Sequence, residues 1–90
     1  MSRLARTVTI TNRRGLHARA SAKFVTLAST LPVEVQVVKD GSPVNGRSIM
    51  GLMMLGAAMG DYITISAEGD GAQDAVDALA QLVEDKFGED

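Results

Sequence analysis

The chain has 90 residues, a net charge of −2, no cysteine and a single histidine. This length suits one small domain, and we expect residues 1–90 to form it. The absence of cysteine excludes disulfides and thiolate sites, and one histidine without converging carboxylates predicts no metal or other cofactor. Residues 1–6 lack the apolar run of a signal peptide, and no segment approaches membrane-spanning length. We therefore expect a cytoplasmic protein that does not insert into membranes.

Charge is distributed unevenly along the chain. Residues 1–60 contain eight Lys and Arg against two acidic residues, a net charge of +6, whereas residues 61–90 contain nine Asp and Glu against one lysine, a net charge of −8. This asymmetry predicts a basic working face for phosphate or an acidic partner, and an acidic, solvated far end. Two of the three aromatic residues, Phe24 and Phe87, lie on predicted apolar faces, so no stacking platform is evident and we expect no nucleic-acid partner.

The first two predicted elements are a strand and a helix that are joined at a glycine. Thr7–Thr11 alternates polar and apolar side chains, which is typical of a half-buried strand. Gly15 then permits a bend with positive φ. Helical spacing resumes downstream and predicts one buried helix face, formed by Ala20, Phe24, Leu27, Ala28 and Leu31. His17 therefore lies at or beside the helix N-cap.

The N-cap position of His17 suggests a function. Ser, Thr, Asp or Asn normally caps a helix, so an imidazole is a poor choice for stability alone. The backbone N–H groups of Ala18 and Arg19 and the positive end of the helix dipole form an anion-binding position, to which the Arg19 guanidinium adds a planar donor fork. These residues alone support a phosphohistidine or anion site and a purely structural histidine about equally.

The middle of the chain predicts a second and a third strand. Pro32 stops the helical pattern, and Val33–Val37 alternates apolar and polar side chains as a strand. The pair Asp40-Gly41 is a hairpin signal. Ser42–Asn45 follows as a short edge strand, because Pro43 cannot donate to a central ladder.

A short helix of unusual composition follows the hairpin. Ser48 is a good N-cap for a helix from Ile49 to Leu55, and Gly56 occupies the C′ position that ends it. Full burial of a helix that is apolar nearly all round is difficult in so small a protein. We therefore favour an exposed docking patch over deep burial for this segment, with exposed members among Ile49, Met50, Met53 and Met54.

The last elements are a strand and a long helix. Tyr62–Ser66 alternates cleanly as a strand, and Asp70 and Gln73 resemble a capping box. The helix that they open has its apolar face at Ala72, Ala75, Val76, Leu79, Leu82, Val83 and Phe87, with Gly88 at its end. The order β-α-β-β-α-β-α predicts an α+β two-layer sandwich, an antiparallel four-stranded sheet with three helices on one face. The pattern alone fits a ferredoxin-like split β-α-β topology as well as any other.

Two motifs and their spacing resemble a known family. Gly15–Arg19 followed by Ala22–Val25 resembles the active-site segment of HPr, the histidine-containing phosphocarrier family of the bacterial phosphoenolpyruvate-dependent phosphotransferase system. Ser48–Gly56 resembles the regulatory-serine segment of that family, and Ile63–Gly69 resembles its last strand. The resemblance extends over nearly the whole chain without an insertion.

The resemblance implies a carrier rather than an enzyme. Enzyme I would pass a phosphoryl group to Nδ1 of His17, beside the active-site arginine matched by Arg19, and an EIIA-type protein would accept it. HPr kinase/phosphorylase, where present, would phosphorylate Ser48. The implied fold is an open-faced sandwich with sheet order 1-4-2-3, and we expect a monomer. We expect partners to dock on Ala22, Lys23, Arg47, Ile49, Met50, Gly51, Met53 and Met54.

Ala20 departs from the pattern of many family members, which have proline soon after the arginine. This variant and the Met-rich second helix resemble the nitrogen-related branch and alphaproteobacterial HPr, in which the carrier often serves regulatory EIIA proteins rather than sugar permeases.

Two alternatives to a phosphocarrier remain. One alternative is a purely regulatory interaction module controlled by phosphorylation of Ser48. Another is a small enzyme with His17 as general base, which is disfavoured because neither a nucleophile nor an orienting carboxylate is evident beside the histidine.

Overall fold

Four strands and three helices make up the part of the chain that the computed structural model describes, residues 3–89. The chain order is β-α-β-β-α-β-α, as the sequence predicts, and a 3-10 turn follows the last helix. The elements are β1 Leu4–Thr9, α1 Ala18–Ala28, β2 Val35–Lys39, β3 Ser42–Asn45, α2 Ile49–Met54, β4 Tyr62–Ala67, α3 Ala72–Glu84 and the 3-10 turn Lys86–Gly88.

The strands form one antiparallel sheet in the order β1-β4-β2-β3. Val8 lies opposite Ile63, and Val37 lies between Ile65 on one side and Val44 on the other. Pro43 lies in the edge strand β3, where its missing N–H leaves no gap in a central ladder. The sheet order implied by the family resemblance is confirmed, and the ferredoxin-like alternative is wrong.

The core lies between one face of the sheet and the helices. Alternate strand residues face the helices and are buried, among them Val8, Val37 and Ile65. Phe24 from α1 and Leu79 from α3 are fully buried against them, as the periodicity of both helices predicts. Burial of these apolar side chains provides the main driving force for folding.

The ends of the first elements differ from the prediction by a few residues. β1 ends at Thr9 instead of Thr11, because Ile10 exchanges backbone hydrogen bonds with the loop at Gly60 and Asp61. α1 ends at Ala28 instead of Leu31, where tighter bonds such as Leu31 N–H to the Ala28 carbonyl close the last turn before Pro32. β2 begins at Val35, two residues later than predicted.

The predicted capping box of the last helix is wrong. The N-cap of α3 is Gly71 in the left-handed region (φ 89°), which places Asp70 one residue too early to cap, and the Gln73 amide donates to Asp77 instead. α3 also ends at Glu84, before Phe87. Phe87 lies in the 3-10 turn, where its side chain is buried in the core. Because its φ is 55°, the chain reverses direction after α3.

A close backbone contact positions the start of α1. Gly15 has φ 61°, and the next N–H, that of Leu16, donates to the carbonyl of Ala57 in the loop after α2 (2.9 Å). A Cβ on Gly15 would overlap the Ala57 carbonyl oxygen and lie 2.9 Å from the Cα of Ala58. The loop before α1 can therefore approach the loop after α2 only because residue 15 has no side chain.

We expect Gly15→Ala to lower the free energy of unfolding by about 2–5 kcal/mol, because left-handed strain of about 1–2 kcal/mol adds to overpacking of about 1–3 kcal/mol. Gly56→Ala is the matched control, since Gly56 has a similar φ of 64° but open space where its Cβ would lie. The control should lose only the strain of about 1–2 kcal/mol. Urea unfolding of both variants measures the difference, and equal losses would contradict the close-contact explanation.

Candidate functional site

His17 is the N-cap of α1, as its sequence context predicts. Its backbone is extended (φ −74°, ψ −178°), and its carbonyl accepts the first intrahelical bond, from Ser21 N–H at 2.9 Å. Its Nδ1 accepts a hydrogen bond from the backbone N–H of Arg19 at 3.3 Å. The ring therefore takes the place of a capping hydroxyl or carboxylate, with Nδ1 directed at the positive end of the helix.

The other ring nitrogen of His17 contacts a carboxylate from the C-terminal segment. Glu89 Oε2 lies 2.6 Å from Nε2, and both side chains are largely shielded from solvent. The expectation that no carboxylate orients the histidine is wrong. The acidic end is largely exposed, as predicted, but Glu89 is an exception. Periodicity cannot reveal this contact, because the turn at Phe87 and Gly88, rather than a continuing helix, returns Glu89 to the site.

Asn12 connects Glu89 to the loop before α1, a role that is likewise not predicted from the sequence. It is fully buried, and its Nδ2 donates to Glu89 Oε1 (3.1 Å) and to the Gly15 carbonyl (2.8 Å). A signal was present in the sequence, since an asparagine just before a glycine bend often forms local hydrogen bonds with the backbone.

The surroundings of Glu89 lower the pKa of its carboxyl. Partial burial raises this pKa, but the hydrogen bonds from Asn12 and His17, together with the charges of His17 and Lys23, outweigh that effect. Since the folded-state pKa is below the ordinary value, these contacts stabilise the fold above the unfolded-state pKa. The stabilisation is lost as the pH falls through the folded-state value.

Four cationic side chains lie around a cavity next to the histidine. The cavity has a volume of about 350 Å³, and we call it the basic cavity; its cationic lining residues are Arg13, Arg14, Arg19 and Lys23. Gly88 and Glu89 complete the lining, and Lys23 Nζ also donates to the carbonyl of Phe87 at 2.7 Å. The sequence predicts a basic face from the positive charge of residues 1–60. Part of that charge lies around this cavity, where an anion would meet the N-terminus of α1.

Ser48 and α2 form a second feature in the layer of helices. Ser48 is the N-cap of α2, as predicted, and its Oγ accepts from Gly51 N–H at 2.9 Å. Arg47 remains exposed, but its guanidinium is held by the carbonyls of Leu31 (3.1 Å) and Val33 (3.4 Å). Arg47 therefore also joins α2 to the segment after α1.

The apolar surface of α2 is exposed, as the sequence analysis favours. We call the following residues the methionine patch, with exposed fractions in parentheses: Ile49 (40%), Met50 (66%), Met53 (39%) and Met54 (80%). Leu52 is the one fully buried residue of this helix. Since α1 and α2 pack against each other, the methionine patch, Ala22 and Lys23 belong to the same layer as His17.

Within residues 3–89, no three His, Cys, Asp or Glu side chains converge in a way that could hold a metal ion. None of the helices in this range combines the length and the apolar composition that crossing a membrane requires.

Comparison with known proteins identifies the family. Residues 4–85 match the family model PTS-HPr, described as the PTS HPr component phosphorylation site. The chain is 45% identical over 86 residues to phosphocarrier protein HPr of Cupriavidus necator (96% of this chain, 97% of that protein). It is 43% identical over 89 residues to phosphocarrier protein NPr of Shewanella violacea (99% and 98%).

A solved structure agrees with this relationship. The crystal structure of HPr-C-His from Thermoanaerobacter tengcongensis superposes with a TM-score of 0.89 at 46% sequence identity, covering 100% of this chain and 99% of that one. Sequence and fold therefore agree over essentially the full length, and the chain belongs to the HPr family of phosphocarrier proteins of the phosphotransferase system.

Proposed function

We propose that this chain accepts a phosphoryl group from phosphorylated enzyme I on Nδ1 of His17 and passes it to an EIIA-type protein. The observation that supports this proposal best is the capping geometry of His17, in which Nδ1 accepts from the backbone N–H of Arg19 in the first turn of α1. We further propose that the whole chain acts as one carrier domain in the cytoplasm, as a monomer.

The chemistry of the transfer follows from that geometry. The lone pair of Nδ1 attacks phosphorus, the bond between phosphorus and the donor breaks, and the donor keeps the electron pair. The Arg19 N–H that now donates to Nδ1 becomes available to a phosphoryl oxygen, and the Arg19 guanidinium at the basic cavity supplies further charge. Stabilisation by a helix terminus and exposed cations is moderate, which suits a group that must also leave.

Catalysis of the transfer belongs to the partner proteins. Phosphoryl transfer needs mainly positioning and charge stabilisation, often with a metal ion. This chain contributes the nucleophile and a docking surface. The basic cavity suits acidic side chains, and the methionine patch suits an apolar surface of enzyme I or of the acceptor, because methionine adapts to different contacts.

We expect enzyme I, Mg²⁺ and labelled phosphoenolpyruvate to label the protein at His17 alone. The label should be acid-labile and alkali-stable, as phosphohistidine is, and His17→Ala should abolish it because His17 is the single imidazole of the chain. Glu34→Ala, at an exposed position before β2, is the control and should be labelled normally. Circular dichroism checks that both variants fold.

Full labelling of His17→Ala would contradict the phosphocarrier proposal. Absence of label on the parent protein, combined with ATP-dependent phosphorylation of Ser48, would instead support the purely regulatory alternative.

We also propose that Ser48 is a regulatory phosphorylation site, for an HPr kinase/phosphorylase where one exists. Its Oγ already faces the Gly51 N–H at the start of α2, where a helix dipole favours negative charge. A phosphate there would lie at the edge of the methionine patch and beside Arg47. A docking surface of enzyme I that suits basic and apolar groups would then be repelled by the phosphate charge, and burying that charge would carry a desolvation cost.

We expect Ser48→Asp to retain or slightly raise the melting temperature while weakening enzyme I binding, most strongly at low salt, where screening is least. Ser48→Ala is the matched control. It should lose about 0.5–2 kcal/mol of stability with the capping bond but bind enzyme I normally. Isothermal titration at several salt concentrations measures binding. Equal phosphotransfer rates for Ser48→Asp and the parent across ionic strengths would contradict the switch.

A further inference from the structure

We propose that Glu89, held in place by Asn12, is a positioning residue that keeps the proton of His17 on Nε2 and leaves the lone pair of Nδ1 free. The inference deepens the proposed phosphocarrier function and rests on it for its kinetic consequence. Its structural consequence, the tautomer of the free protein, can be measured without any partner.

Two contacts on opposite sides of the ring require the same tautomer. An ionised carboxylate can only accept hydrogen bonds, so Glu89 Oε2 at 2.6 Å requires a proton on Nε2. The backbone N–H of Arg19 can only donate, so its contact with Nδ1 at 3.3 Å requires a lone pair there. Between them, the C-terminal segment and the first turn of α1 select the Nε2–H form of the neutral ring.

Asn12 and Lys23 hold the carboxylate in position. Asn12 Nδ2 donates to both Glu89 Oε1 and the Gly15 carbonyl, so a flipped amide would set its oxygen against two acceptors. Because Asn12 is fully buried, its orientation cannot be relaxed by solvent. Lys23 Nζ donates to the carbonyl of Phe87 and thereby ties down the turn that precedes Glu89.

The arrangement matters for both directions of phosphoryl transfer. When Nδ1 bonds to phosphorus and the donor leaves with its electron pair, the ring becomes more positive while Nε2 keeps its proton. The Glu89 carboxylate next to that proton compensates the positive charge. When an acceptor attacks the phosphorus, the N–P electron pair returns to Nδ1, and the ring is restored as the same tautomer without a proton having to move.

Glu89→Gln tests the inference because it reverses the hydrogen-bond polarity at Nε2. With its oxygen kept on Asn12, the glutamine amide presents an N–H₂ donor to the ring and favours a proton on Nδ1, where it blocks the nucleophile. We expect ¹⁵N NMR of the unphosphorylated protein to show nearly pure Nε2–H in the parent and a substantial Nδ1–H population in the variant. Outer partners of metal-ligating histidines typically contribute about 10- to 100-fold, and we expect a similar loss in transfer rate.

Asp85→Asn is the matched control. It removes the same charge four residues earlier, from a side chain that accepts a hydrogen bond from Gln81 and does not contact His17. Its tautomer and transfer rate should equal those of the parent.

Asn12→Ala supplies a second test, because it should shift the tautomer of His17 in a protein whose Glu89 is unchanged. When Glu89→Gln is already present, Asn12→Ala should add little, because both changes act through one contact.

The outcomes separate this inference from the proposed function. A parent protein that enzyme I does not label contradicts the carrier function, whatever its tautomer. A labelled parent together with a Glu89→Gln variant of unchanged tautomer overturns the inference, even where the transfer rate falls, because Glu89 would then act through docking or net charge.

Discussion

The site depends on one backbone contact, where the loop before α1 meets the loop after α2. The Leu16 N–H reaches the Ala57 carbonyl only because Gly15 has no side chain and adopts a left-handed conformation. This contact determines where α1 begins and which residue becomes its N-cap. The direction of the imidazole of His17, and hence of Nδ1, follows from it. The orientation of His17 is thus tied to the packing of two loops that are far apart in sequence.

The acidic C-terminal third has two different structural uses. Along α3, Asp77 and Glu84 pair with Arg6 of β1 at the exposed edge of the sheet. Such exposed pairs contribute little to stability. Glu89, in contrast, is shielded, contacts His17 and has a lowered pKa. Segregation of charge along the sequence therefore describes the net charge of each part of the chain, whereas the tertiary structure decides which carboxylate contacts His17.

The basic cavity and the methionine patch differ in character. Under the proposed function, the positive charge of the basic cavity would favour fast encounter with acidic partners. The methionine patch offers apolar area that adapts to more than one partner, because the methionine side chain is unbranched and flexible. Under the proposed function, the protein docks in turn with a donor and an acceptor, and this combination of charge and adaptable apolar surface suits successive partners.

Local patterns in the sequence determined much of this protein. Strand alternation, helical periodicity and the capping residues His17 and Ser48 could be recognised because each depends on neighbours within about one turn. The tertiary structure decided the order of the strands and the exact ends of β1 and α1, which depend on contacts such as that between Ile10 and Asp61. It also decided that Asn12 bonds to Glu89, 77 residues away, and that Glu89 contacts the ring of His17. Left-handed residues at Lys86 and Phe87 turn the chain back after α3, a reversal that no periodicity encodes, because it is stabilised by burial of Phe87 in a core assembled from the whole chain.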